Sequence, residues 1–438
     1  MMRQNGIAFL RDHSFPAAAK KAESVEERLI TFCQIGPFCD LCSENMTEIE
    51  GMCSEVAITS RNFEAYYPNM GRQPILRLEV RTFPDKKSRR QFLEQYEQIQ
   101  KQDPVRLSEE LHLLHLEDAG TFWMPCGLEV AGRIKNAVER EYRAHGAGQV
   151  ESPLFSQGPG EREILFEEKH YILTVPTHRA FSNERAVWEW VHSHHFLPTK
   201  DLEGLFCSRG TRGDVFHIFC SEAEAPGELF WALQSISRVA TLLGLKVQAE
   251  LVETGDTKKN KLLDAACREL GLEYRIRNEK VRGTALELLS PDLLGRLWPV
   301  SRVGFSEGRG FHIEGSFIFS LERVMALLVE KHNGLLPFWL APCQVKILPV
   351  VDEARRMAEE IFDVLTREQV RVKIDASGPL GERIYRAGIE RIPCAIILGF
   401  REVREQKMCV RYFGPEPKQN EQTLLEFMQE IHTLNEER

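Results

Sequence analysis

The stretch FHIEGSFIFSLERVMALLVEKHNGLLPFWLAPCQVKILPV, residues 311–350, changes its hydrophobic period twice. From Phe311 to Phe319 it is apolar and β-rich, broken at Gly315, and beyond Ser320 the residues Leu321, Val324, Met325 and Leu328 recur at helical spacing. A buried strand therefore feeds a core helix. Arg323 falls in the first turn of that helix, at the positive end of its dipole, where a guanidinium is costly unless it meets an anion. Phosphate suits the place, because helix N-termini and guanidinium groups both bind it. Residues 344–350 open a second continuous apolar strand, so the stretch joins the end of one domain to the start of another.

Toward the C-terminus, Asp352 reads as the N-cap of a helix whose face is Ala354, Met357, Ala358, Ile361 and Leu365. Residues 370–375 form the next strand, and Gly378-Pro379-Leu380-Gly381 breaks the chain before a second helix ending near Ile392. Residues 395–399 give a third buried strand, paired with 408–413 across a polar turn around Glu405, and a last amphipathic helix starts near Glu421. The order β-α-β-α-β-β-α implies a compact α/β domain with a mixed sheet and right-handed crossovers.

Toward the N-terminus, Leu128, Ala131, Val138 and Tyr142 lie on one face of a helix that stops at Gly146, and 149–155 continues as a strand containing Pro153. Residues 205–208 and 215–220 read as two antiparallel strands, with Arg209 at the end of the first and the polar loop 210–213 between them. His192, His194 and His195, in a short aromatic segment, read as surface or helix-end residues. A strand over 75–82 precedes a charged helix over 85–102. The basic runs Lys86, Lys87, Arg89, Arg90 and Lys258, Lys259, Lys261 read as solvated faces.

The chain of 438 residues is long enough for two or three domains, with 43% hydrophobic and 28% charged residues as in globular protein. With 56 basic and 65 acidic residues its net charge is −9, so any nucleic-acid surface has to be a local basic patch. No window has the length and apolarity of a membrane span. The polar N-terminus and Glu23, Glu26 and Glu27 argue against signal and transit peptides, which makes the cytoplasm the expected location. Eleven cysteines, an odd number, suit a reducing compartment. Cys33, Cys39, Cys42 and Cys53 cluster, but no second C-x-x-C follows Cys39-x-x-Cys42, so they read as buried or idle thiols rather than a zinc knuckle. Neither a P-loop nor a Rossmann fingerprint is present.

The strand-to-helix passage carrying Arg323 resembles motif 3 of the class II aminoacyl-tRNA synthetases. LPFWLAPCQV, residues 336–345, is similar to the passage of threonyl-tRNA synthetases into their anticodon-binding domain. The helix ending at Gly146, with its strand and Pro153, resembles motif 1, the dimer-forming element, and the 205–220 hairpin resembles motif 2. Glu382-Arg383-Ile384 through Arg391-Ile392-Pro393, with Leu398-Gly399, follows the anticodon-binding domain. Phe38-Cys39-Asp40-Leu41-Cys42 and 75–82 resemble the second half of the editing domain. The resemblance implies an α+β multidomain protein: an editing-domain remnant and helical linker over 1–110, a class II catalytic-type domain built on an antiparallel sheet over 111–338, and an anticodon-binding α/β domain over 339–438.

By the same resemblance, the ancestral activity is ATP-dependent amino-acid activation and tRNA aminoacylation. Arg209 and Arg323 would be the catalytic residues, holding the phosphates of ATP/Mg as charge develops on the α-phosphate, with Arg212 as an alternative match for Arg209. Zinc in this family needs one cysteine and two histidines, positions that here carry His178, Ala225 and Glu314. A rebuilt site would use His178 and Glu314 with Glu222 or Glu224. The editing residues reduce to Cys42, with Met46 in place of a histidine. Gly210 and Thr211 follow Arg209 where a carboxylate is usual, and Ala376-Ser377-Gly378-Pro379 with Glu382 departs from the basic anticodon loop. Arg383, Arg386, Arg391 and Arg401 remain as expected RNA contacts. These departures imply an activity altered or lost and leave three expectations: an enzyme that still activates an amino acid, a non-charging paralogue that binds tRNA or another RNA and forms a homodimer through motif 1, or a regulatory partner of a full-length synthetase.

Overall fold

The computed structural model describes residues 2–13, 15–23, 28–35, 38–42, 54–64, 75–117, 120–153, 155–157, 163–166, 169–173, 184–194, 202–252, 256–277, 284–306 and 311–436. They divide into two compact units, Met1–Gln98 and Ile99–Arg438. The first holds α1 (Arg3–Asp12), α2 (Pro16–Glu23), the hairpin β1 (Thr31–Ile35) and β2 (Phe38–Cys42), the hairpin β3 (Glu55–Glu64) and β4 (Ile75–Phe83), and most of α3 (Lys86–Lys101). Leu10, Ala19, Ala22 and Ile30 make a small core beneath α1 and α2. Cys33 pairs with Asp40 and Gln34 with Cys39 across the first hairpin, while Met46 and Cys53 lie outside the described residues.

The second unit begins with α4 (Pro104–Glu110), the hairpin β5 (Leu114–Glu117) and β6 (Gly120–Trp123), α5 (Pro125–His145) and the short β7 (Gly148–Gln149). A small antiparallel sheet follows, β8 (Phe155–Gln157), β9 (Glu163–Phe166) and β10 (Lys169–Leu173). Next come β11 (Ala186–His194), β12 (Gly210–Cys220), α6 (Ala225–Leu242), β13 (Gln248–Val252), α7 (Thr257–Glu269), β14 (Tyr274–Arg277), β15 (Ala285–Pro291), β16 (Leu297–Phe305), β17 (Phe311–Ser316) and α8 (Leu321–Lys331). The large sheet runs β14-β13-β15-β16-β17-β12-β11-β7, antiparallel except for its two outer pairs. On β12 and β17, Phe216, Ile218 and Ile313 turn to one face, where they are buried with Val130, Ile134, Leu233 and Met325 from α5, α6 and α8. Each such side chain contributes about 1.5–3 kcal/mol by leaving water. Alternation sends His217, Phe219, His312 and Glu314 to the opposite face.

A buried carboxylate locks this layer together. Asp214, 3% exposed, accepts hydrogen bonds from Phe317 N at 2.9 Å, Ile318 N at 2.6 Å and the Tyr142 hydroxyl. Burial raises its pKa to about 6 although these donors pull it down, so it is ionised at neutral pH. Glu322 does the same a few residues on, accepting from Arg212 N and Trp123 Nε1, each at 2.9 Å.

Several expected elements differ. The 205–220 hairpin is instead β11 with β12, because residues 210–213 continue the strand rather than turn it. Gly213 is there for close approach: a Cβ would lie 2.7 Å from the carbonyls of both Ile318 and Phe319. His192 and His194 are thus strand residues. The expected 149–155 strand stops at Gln149, since Ser152, ahead of Pro153, gives its N–H and hydroxyl to Glu189 instead of a ladder, at 2.7 and 2.8 Å.

The C-terminal sheet comprises β18 (Val345–Pro349), β19 (Val372–Ile374), β20 (Cys394–Leu398), β21 (Met408–Tyr412) and β22 (Lys418–Gln422), in the order β19-β18-β20-β21-β22. The first three are parallel and the last two antiparallel. α9 (Ala354–Arg367) and α12 (Leu424–Glu436) share its apolar core, and α10 (Leu380–Ile389) lies against β18 with Arg383 and Ala387 buried. Asp352 is not the N-cap of α9; that place is Glu353, and Asp352 pairs with Arg355 at 3.0 Å. The turn around Glu405 is a short helix, α11 (Phe400–Glu405), and Glu421 belongs to edge strand β22, with α12 starting at Leu424.

Asp214→Asn puts an amide N–H against a backbone N–H and is expected to cost about 1–3 kcal/mol, read as a lower midpoint in urea. Glu330, 5% exposed in the last turn of α8, is raised to about 7 by burial, against a hydrogen bond from Leu293 N. A raised folded-state pKa contributes stability that is complete below the ordinary carboxylate range and is lost as pH rises through about 7. Glu330→Gln should therefore stabilise the protein by about 1–2 kcal/mol at pH 8 relative to wild type, and thermal melts near pH 4 should show that gain gone.

Candidate functional site

The polar face of the large sheet brings two histidines and a carboxylate together. His217 on β12 is the register partner of Glu314 on β17, and Phe219 is that of His312. His217 Nδ1 and His312 Nε2 are 3.1 Å apart, and one ligand atom from each histidine and from Glu314 lies within 4.8 Å of the others. Phe219 stacks flat on His312, with ring centroids 4.7 Å apart and an 11° tilt, which fixes the imidazole. His217 is buried and the other two are half-buried. Two imidazoles and one carboxylate form a donor set for first-row divalent cations, so these residues fit a metal.

Of the metal ligands expected from sequence, Glu314 is in this cluster and His178 lies outside the described residues. Ala225 is fully buried. The two alternative carboxylates are engaged elsewhere: Glu224 accepts from the Ser221 N–H and hydroxyl at 2.8 and 2.7 Å, and Glu222 pairs with Lys258 at 2.5 Å. Sequence reasoning passed over His217 and His312. The signal that could have found them is His312-x-Glu314 on a strand, which puts both side chains on one face.

Arg323 occupies the first turn of α8, as the sequence places it, yet its cost there is met without an anion. Nε donates to Phe206 O at 2.8 Å and Nη1 to Pro299 O at 2.6 Å, and the guanidinium lies over the rings of Trp298 and Phe319 at 5.6 and 5.8 Å. Burial lowers its pKa from the ordinary value. Arg209 sits half-buried just ahead of β12. Arg212, its alternative, lies 5.4 Å over the Trp123 ring. That ring and the backbone N–H of Arg212 both bond to the buried Glu322.

In the C-terminal domain the expected RNA contacts divide. Arg383 is 4% exposed and spends Nη1 on the carbonyls of Pro349 and Asp375, at 2.7 and 3.1 Å, so it belongs to the interior and not to a surface. Arg386 is bound to Asp375 at 3.0 Å, and Arg401 to Glu421 at 3.0 Å. Arg391, at a left-handed φ of 54°, lines a groove of about 950 Å³. Tyr385, Phe413 and Arg411 line it too, with Arg411 5.7 Å over the Phe413 ring. Tyr385 is 70% exposed. Arg411 went unread in the sequence because exposure at one end of an antiparallel strand is set by its neighbours.

Residues 344–434 match the family model described as "Anticodon binding domain". The threonine–tRNA ligase of Thermotoga neapolitana is 25% identical to this chain over 90% of the chain and 71% of the relative, and that of Clostridium novyi is 23% identical over 93% and 73%. The crystal structure of the RNA binding domain of threonyl-tRNA synthetase from Cryptosporidium parvum Iowa II superposes with a TM-score of 0.67 at 19% identity, covering 76% of this chain and 98% of that one. The prolyl-tRNA synthetase of Cryptosporidium parvum, solved with halofuginone and AMPPNP, gives 0.62 at 13% identity, covering 76% and 77%. These two likenesses establish the fold: an antiparallel-rich synthetase sheet followed by an anticodon-binding α/β domain.

Proposed function

We propose that the chain is a threonyl-tRNA synthetase-like member of the class II synthetase family and that it binds tRNA or another RNA through the groove beside α10, with the ancestral amino-acid activation altered or lost. The observation that carries this reading is the pairing of Arg391 and Arg411 with Tyr385 and Phe413 around the groove of about 950 Å³. Proteins take single-stranded RNA in this way, with guanidinium groups on phosphates and ring faces under unstacked bases. A chain of net charge −9 needs such a local site to hold RNA at all. The match of residues 344–434 to an anticodon-binding domain supports the same partner.

Two features favour altered chemistry. Arg323 already spends two of its N–H groups on backbone carbonyls, which lowers what it can offer a nucleotide. Glu314 stands where the family resemblance implies a zinc-binding histidine, and a carboxylate changes both charge and preferred metal. The place of Arg323 at the N-terminus of α8 favours a second reading, in which amino-acid activation persists. Threonine-dependent exchange of pyrophosphate into ATP would establish that second reading; no exchange with any of the twenty amino acids would remove it.

The RNA reading is tested by fluorescence anisotropy with labelled tRNA across a salt series. Arg411→Glu and Arg391→Glu are each expected to weaken binding about tenfold or more and to lower the salt slope by about one or more. Arg356→Glu on α9, an 89% exposed side chain on the helix that packs in the domain core, carries the same charge change and should have little effect. Equal losses in all of these variants, or no tRNA binding by wild type, would sink the proposal.

A further inference from the structure

The metal that the family resemblance implies has a specific set of ligands in this chain. We propose that His217, His312 and Glu314 hold one first-row divalent cation in a thiolate-free site, in place of the family's one cysteine and two histidines. This is independent of RNA binding.

The strand register makes the case. His217 and Glu314 face each other directly across β12 and β17, and His312 is two residues from Glu314 on the same strand, so backbone hydrogen bonding alone holds all three on one face. Donors around a tetrahedral zinc with bonds of about 2.0–2.1 Å sit roughly 3.3 Å apart. The histidine nitrogens are at 3.1 Å and the full set lies within 4.8 Å, close enough for side-chain rotation to bring all three onto one ion. The stacked Phe219 ring orients His312.

The nearest thiol in sequence is excluded by geometry. Cys220 lies three residues after His217, on the opposite face of β12, with Sγ 3.5 Å from Phe311 O. Among the described residues the set is therefore two imidazoles and a carboxylate, which accepts cobalt, zinc, iron or manganese with less preference than a thiolate set does.

The test uses the full chain, stripped with EDTA and titrated with Co2+ by visible absorption and with Zn2+ by calorimetry at pH 7.5. One ion per chain is expected, with d–d bands and without a thiolate-to-cobalt charge-transfer band. His312→Gln and Glu314→Gln should each weaken binding at least about a hundredfold, since losing even an outer-shell partner costs 10–100-fold. Cys220→Ser should leave affinity unchanged. A thiolate charge-transfer band, absence of one-to-one binding by wild type, or undiminished affinity in both the His312 and Glu314 variants would overturn the assignment. Thermal melts of every variant in EDTA establish that each is folded before its affinity is compared.

Discussion

Asp214 fixes more of this molecule than any residue of the candidate sites. Its carboxylate takes the Tyr142 hydroxyl from α5 and the consecutive N–H groups of Phe317 and Ile318, where β17 gives way to α8. Those consecutive N–H groups are otherwise hard to satisfy, because the chain is leaving one ladder and has not yet begun a helix. By holding them from β12, Asp214 sets the register between β12 and β17. A slip of one residue would turn His217 into the helical layer and bring Ile218 out to the polar face. Gly315 tightens the same constraint: a Cβ there would lie 2.4 Å from Arg302 O and 2.6 Å from the Phe216 ring.

Arginines serve the interior in a related way. Arg323 collects the carbonyls of Phe206 and Pro299, Arg371 those of Ala341 and Trp339 at 2.7 and 2.9 Å, and Arg383 those of Pro349 and Asp375. Each gathers two backbone carbonyls onto one guanidinium. Arg371 in particular holds the 338–341 segment that links the two cores of the second unit, with Gln344 Nε2 adding a bond to Phe338 O at 2.9 Å. The junction is thus built from side chains of the C-terminal domain reaching back to the connecting loop.

The long amphipathic helices were legible from sequence because their burial is periodic: α5 ends at Gly146 in a left-handed C-cap, and α8 begins at Ser320, whose hydroxyl accepts from Arg323 N. What was misread depended on partners distant in the chain. Residues 210–213 look like a turn by composition, yet Gly213 lets β12 pass beneath the Ile318 and Phe319 carbonyls. At the polar face, Glu314 stood out alone, since only the pairing of β12 with β17 brings His217 opposite it. Among the arginines of the C-terminal domain, a charge in or just after a helix does not show whether it points inward, as Arg383 does, or lines a groove, as Arg391 does.

Arg323 separates two histories that a motif usually fuses. Because Phe206 O and Pro299 O both take hydrogen bonds from this buried guanidinium, replacing it removes two bonds from the packing around α8, whether or not a nucleotide binds there. Folding alone suffices to preserve it. The residue that carries the motif resemblance is thus held by the architecture itself, and its presence is accounted for without a reaction.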